Sequence, residues 1–318
     1  MSKFRRSWIL FKRSMQVIGE NKKLLLFPVI TFVLTCVIAL FFITPIVLWD
    51  MENVFITDFA NMAHRFARVG NPQQLYLSPA CYILFGIIYI VSMFLATFFN
   101  VAFFNEILNA LNGHPVSISG GLRLASSRLK AIFAWSLFAG IVGLIIKALE
   151  ERLGWFGSLI MKIVGIAWSV ASVFVVPVII REEKYANPVR FVKTSAAILK
   201  RTWGESLIGY LGISFGGLFL FVSTVVLVGP IIFLFITMVN TNTLNINIPL
   251  MLSIGVPIVI MGWIVFVIVF SYFLHVASQV YLGALYIYAT EGVVPEPFDQ
   301  EQMNMAWRIK SGRKTNEK

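Results

Sequence analysis

Between Glu205 and Glu291 the chain runs for 85 residues without an Asp, Glu, Lys or Arg. Charged residues make up about a quarter of an ordinary soluble domain, so a charge-free stretch of this length belongs in lipid. The rest of the chain agrees: of 318 residues, 58% are hydrophobic and 13% charged, and the mean hydropathy is +0.83. A helix needs about 20 largely apolar residues to cross a bilayer. Six segments meet that length, at about 24–49, 79–104, 131–149, 163–181, 206–239 and 250–290. The last two exceed one crossing, so tilt, kinks at Pro230 and Pro257, or extension beyond the bilayer must absorb the surplus. The expected fold class is all-α, a polytopic membrane helical bundle of six transmembrane helices.

Basic loops resist translocation and so orient the spans. Of the 26 Lys and Arg residues, 21 lie before span one, between spans two and three, between four and five, and after six; five lie in the alternate compartment. This predicts cytoplasmic N- and C-termini. It also divides the chain into a cytoplasmic amphipathic helix at 1–23, a six-span membrane domain at 24–290 and a basic cytoplasmic tail at 291–318.

The net charge of +11 and a pI near 9.8 raise the possibility of nucleic acid. A nucleic-acid binder, however, gathers its cations on a charged soluble domain, whereas these sit between apolar runs. No nucleic-acid partner is expected. A removable signal peptide is disfavoured as well, because the basic N-terminal stretch exceeds 20 residues and the apolar run behind it is longer than a signal core. Before span one, Phe4, Trp8, Phe11, Met15 and Ile18 recur at helical steps, while Lys3, Arg5, Arg6, Lys12 and Arg13 lie mainly elsewhere. That pattern reads as an interfacial helix on an anionic leaflet, and a purely topological role for the same charges is compatible with it.

The arrangement returns twice. In "SISGGLRLASSRLKAIFAW", Ser119 is a candidate cap for a helix carrying Arg123, Arg128 and Lys130 that leads into span three. In "NPVRFVKTSAAILKRTWGE", Asn187 is a cap with Pro188 at the first helical position, followed by Arg190, Lys193, Lys200 and Arg201 before span five. The chain reads either as three units, each a basic amphipathic helix followed by a transmembrane hairpin, or as spans with the basic flank that any inward-to-outward crossing needs. The expected partners are membrane lipids with anionic headgroups; no particular protein partner is indicated.

The phrases "FRRSWILFKRS", "LLLFPV", "ISGGLRLASSRL", "LEERLG", "AWSVASVFVVPVII", "KRTWGE" and "YATEGVVPEPF" together resemble a family of prokaryotic multi-pass membrane proteins catalogued only as a domain of unknown function. The resemblance implies the topology and a location in the cytoplasmic (inner) membrane of a prokaryote; it brings no catalytic residues.

Catalytic patterns are sparse. "GISFG" at Gly212 to Gly216 matches G-x-S-x-G, but that motif works on a strained strand-to-helix turn, and small residues in a membrane helix more simply permit close packing. A rhomboid-like intramembrane serine protease would pair Ser214 with His275. Span six also carries a polar face, Ser271, His275, Ser278 and Gln279, which is either interhelical hydrogen bonding or the lining of a ligand path. Asn105, Asn109 and Asn112 form a second polar stripe, and Lys147 stands near Glu150 and Glu151 as a local ion pair. Cys36, Cys81, His64, His114 and His275 lie too far apart in sequence to suggest a metal site, and no cofactor motif is present. Non-enzymatic scaffolding, assembly or lipid organisation is the leading reading. Passage of a small or lipid-like ligand between spans five and six is the alternative.

Overall fold

A computed structural model describes residues 3–48, 79–182, 186–201 and 250–298, together with 222, 224, 225 and 229. Every regular element among the described residues is helical. We number them α1 (Lys3–Glu20), α2 (Leu26–Leu48), α3 (Pro79–Leu111), α4 (Ile118–Ser127), α5 (Leu129–Arg152), α6 (Trp155–Ala171), α7 (Val175–Arg181), α8 (Pro188–Arg201) and α9 (Leu250–Glu291). Four stretches are long and apolar enough to cross a membrane: Gly86–Leu111, Leu129–Arg152, Trp155–Arg181 and Ile258–Glu291. The pair Ile9–Glu20 and Lys22–Ile38, bent by 101° at its break, brings the number up to five if it is counted as one span. Most of the predicted fifth span, 206–239, lies outside the described residues.

The described helices pack as two units. One comprises Met1–Lys22, Ile107–Pro115 and Ile198–Lys318. Its centre is α1 against α9. The buried face of α1 is Leu10, Ser14, Val17 and Ile18, at the i, i+4, i+7, i+8 spacing of one helical stripe. Of the described residues of the expected apolar face, Ile18 belongs to this stripe, whereas Phe11 and Met15 stay half-buried on the flank. Along α9, Val276, Ala277 and Val280 through Tyr288 are buried, whereas most of the chain from Ile258 to Val269 is exposed. The helix has 42 residues, about 63 Å at 1.5 Å per residue, roughly twice a hydrocarbon core. Trp263 Nε1 donates to Thr224 Oγ1 at 3.1 Å, fastening the exposed half of α9 to the helical residues around 224.

The other unit comprises Lys23–Glu106 and Val116–Ala197. Here α5 and α6 form a hairpin whose turn is Leu153–Gly154, so the fourth apolar stretch begins at Trp155, eight residues before the sequence expectation of 163. Trp135 stacks on Trp168 with centroids 6.0 Å apart and planes 17° from parallel. The Tyr89 hydroxyl of α3 donates to the Gly140 carbonyl of α5 at 3.2 Å. Across the hairpin, Lys162 Nζ stands 3.9 Å from Glu150 Oε1, so Glu150 pairs with the returning helix instead of locally with Lys147. Trp155, 85% exposed, and Phe156 mark the turn, as aromatic residues do at a membrane–water boundary.

Candidate functional site

The helix from Trp155 to Arg181 is interrupted at 172–174. Pro177 explains the place: it has no N–H to give the Val173 carbonyl one turn back, and proline kinks helices for that reason. Ser172 caps the end of α6 by donating its hydroxyl to the Trp168 carbonyl at 2.8 Å. The Phe174 amide, released from the helical ladder, donates to Ser195 Oγ at 2.9 Å. Ser195 belongs to the basic helix α8 and is fully buried, so a polar side chain from the amphipathic helix fills a gap in the broken span.

Capping places α8 as the sequence predicts. Asn187 Oδ1 accepts from the amides of Val189 (3.1 Å) and Arg190 (3.4 Å), and the helix starts at Pro188. Phe191, Ser195, Ile198 and Leu199 are buried; Lys193 and Lys200 are exposed. Arg190 Nε lies 3.5 Å from Glu182 Oε1, which ties the start of α8 to the end of α7. Arg128, between α4 and α5, donates from Nη2 to the Ile180 carbonyl at 3.2 Å, placing a cation at the negative end of α7.

A second polar cluster surrounds Glu106, which sequence reasoning passed over in favour of its Asn neighbours. Its side chain is 1% exposed. Oε2 accepts from the Ser117 amide at 2.7 Å, and Oε1 accepts from Asn105 Nδ2 at 2.9 Å. Ser117, and not Ser119, is the N-cap of α4: its Oγ accepts from the Gly120 amide at 3.3 Å, and Ser119 Oγ lies 3.0 Å from it. The carboxylate thus sits at a helix N-terminus, where its charge is favourable. A single Glu shortly before a turn and a Ser-rich cap was the signal that could have found it. The Asn stripe closes α3: the His114 amide reaches the Asn109 carbonyl at 2.9 Å, Gly113 reaches Ala110 at 3.2 Å, and Gly113 has φ +74°, a glycine-ended helix C-terminus. Gly121 lets α4 lie against α3, since a Cβ there would be 2.7 Å from the Ala102 carbonyl oxygen and 3.2 Å from the Phe27 ring.

The remaining sequence candidates are dispersed. Ser271 and His275 are exposed on α9, and Ser278 and Gln279 are half-buried. The Ser278 hydroxyl donates to the His275 carbonyl at 2.7 Å, a bond within the helix. Ser214, the other member of the suggested dyad, lies outside the described residues. On α1, Lys12 is exposed, and Arg13 Nη1 contacts Gln16 Oε1 at 3.5 Å; Phe4, Arg5, Arg6 and Trp8 belong to the same helix. Arg201 ends α8. Among the described residues, no three His, Cys, Asp or Glu side chains come together.

Long apolar helices with exposed aliphatic flanks, joined by basic amphipathic helices that bury one stripe, define a multi-pass helical membrane protein. The chain belongs to a family of unknown function (DUF6159), whose model matches residues 79–295. Comparison with curated proteins and with solved structures finds no match.

Proposed function

We propose that this is a six-span, non-enzymatic protein of the prokaryotic inner membrane that organises anionic lipids, or partners assembled on them, along the cytoplasmic leaflet. One observation supports the reading above all: α1 and α8 each spend a narrow stripe on the protein and turn cations outward, Lys12 on one and Lys193 and Lys200 on the other. Arg5, Arg6, Arg13, Arg190 and Arg201 extend the same basic surface in sequence. In this reading residues 1–23 form the interfacial helix, 24–290 the membrane domain with both termini cytoplasmic, and 291–318 the basic tail. Phe11 and Met15, half-buried beside the packed stripe, meet the acyl boundary, as the flank of an amphipathic helix does.

Two measurements test it. Reporter fusions after Arg68 and after Lys314 should report opposite compartments, the second cytoplasmic; matching compartments end the six-span arrangement. The purified protein should carry anionic phospholipid in excess of its share of the surrounding membrane, and equal proportions would end the lipid-organising role.

A passage for a small or lipid-like ligand is the second reading, favoured by the interrupted helix at 172–174, since broken helices build transporter sites. The Ser195 hydroxyl already occupies the freed amide there, which weighs toward a structural use. Ser271, His275, Ser278 and Gln279 would line such a path on α9, and a Ser214–His275 dyad would make the protein a protease.

A further inference from the structure

The basic amphipathic helices share more than composition. From Leu10 to Gly19 and from Phe191 to Lys200, buried, half-buried and exposed positions follow one another in the same order at all ten residues. From Gly121 to Ala125 on α4 the first five positions repeat that order. Aligned this way, Leu10, Gly121 and Phe191 are buried; so are the small residues Ser14, Ala125 and Ser195, four positions later. Between them, Lys12, Arg123 and Lys193 are exposed.

The alignment of α4 with α8 continues outward at a constant offset of 70 without a gap. It pairs the buried Phe104 with Phe174 and Leu108 with Val178. It also pairs the two N-caps, Ser117 and Asn187. Further along the chain it pairs Leu129-Lys130 with Leu199-Lys200 and Ser136-Leu137 with Ser206-Leu207. Any basic flank preceding a span would supply cations somewhere; it would not supply matching caps, matching buried residues and one cation in one register.

We infer that Lys12, Arg123 and Lys193 are three copies of a single binding position for an anionic phospholipid headgroup. The inference rests on the lipid-organising reading and narrows it to three residues. Each cation directly follows a half-buried apolar residue, Phe11, Leu122 or Val192, so the helix presents an apolar contact and a charge side by side, suited to an acyl boundary and a headgroup. Depth argues for a lipid over an acidic protein. Six residues beyond Arg123 the chain reaches Leu129 and then Phe133, both exposed and apolar; beyond Lys12 it reaches Leu26 and Val29, also exposed. Side chains of that kind face hydrocarbon, so the cations just before them stand in the headgroup layer.

The test uses the full-length protein, delipidated in neutral detergent and titrated with phosphatidylglycerol or phosphatidylcholine, with bound lipids counted by native mass spectrometry. Lys12→Gln, Arg123→Gln and Lys193→Gln should each remove one tightly bound phosphatidylglycerol, and the triple variant should remove all three. Lys22→Gln and Lys130→Gln, outside the shared position, should leave the number unchanged. All five of these side chains are exposed, and an unchanged thermal unfolding midpoint confirms that each variant is folded. Wild-type protein that takes up the two lipids equally overturns both this inference and the reading beneath it. Wild-type protein that prefers phosphatidylglycerol, with the same number bound in the triple variant or with equal loss in the two controls, overturns the three-copy position alone.

Discussion

The Ser195 hydroxyl accepts the Phe174 amide at 2.9 Å, joining a basic amphipathic helix to the interruption in an apolar one. Both residues are fully buried, so the bond has no competing water. Ser195→Ala leaves that amide unpaired and should lower stability by about 1–3 kcal/mol, read as a fall in the thermal unfolding midpoint in detergent. Ser14 fills the equivalent place on α1, also fully buried, but its Oγ has no hydrogen-bond partner among the described residues. Ser14→Ala should therefore be neutral or slightly stabilising. Equal losses in the two variants would contradict this account.

Pro177 and Ser195 act on the same peptide group from opposite sides. In Pro177→Ala, residue 177 regains an N–H for the Val173 carbonyl, and a continuous helix would return the Phe174 amide to Val170. Ser195→Ala should then cost less than it does beside proline, with a coupling of about 0.5–3 kcal/mol in a double-mutant cycle. Additive losses would mean that the interruption does not depend on Pro177.

At Gly121 the limit is backbone. An added Cβ would stand 2.7 Å from the Ala102 carbonyl oxygen, which cannot move without α3. Gly121→Ala should destabilise by about 1–3 kcal/mol, the range for overpacking. Gly120→Ala, whose nearest new neighbour is Ser117 Cβ at 3.4 Å, should be tolerated. Unfolding midpoints of the two variants separate the outcomes.

Glu106 joins the end of α3 to the cap of α4. Glu106→Ala removes the acceptor of the Ser117 amide and of the Asn105 side chain, and should cost about 1.5–3 kcal/mol, the range for a hydrogen bond to a charged group. Glu106→Gln keeps an oxygen for the Ser117 amide and should lose less. Amide hydrogen exchange at 117–121 should accelerate in the alanine variant and stay slow in the glutamine variant.

How much of this was legible depends on which solvent a residue meets. Charge-free length revealed the long apolar helices that are described, and Asn187 followed by Pro188 revealed the start of α8, because both signals are local. The buried stripe of α1 was not legible. Phe4, Trp8, Phe11, Met15 and Ile18 make one apolar arc, Leu10, Val17 and Ile18 an adjacent one, and periodicity cannot tell an arc facing protein from one facing lipid. Ser119 looked as good a cap as Ser117, and only the Glu106 carboxylate, 11 residues back in the chain, distinguishes them. Lys162 pushed the expected start of the fourth span to 163, whereas its pairing with Glu150 lets the helix begin at Trp155.

The two-residue turn between α5 and α6 bears on how the protein enters the membrane. In the proposed orientation this turn lies on the outer side, so helices joined so tightly are delivered across the bilayer together, turn first, and the leading end carries Lys147, Glu150, Glu151, Arg152 and Lys162. Translocating isolated charges costs several kcal/mol apiece. Three cations and two carboxylates within one hairpin end leave a net formal charge of only +1, and the contact between Lys162 and Glu150 means that two of them can travel as a neutral pair. A helix made without its partner would cross with those charges uncompensated, so biogenesis favours insertion of the hairpin as a whole.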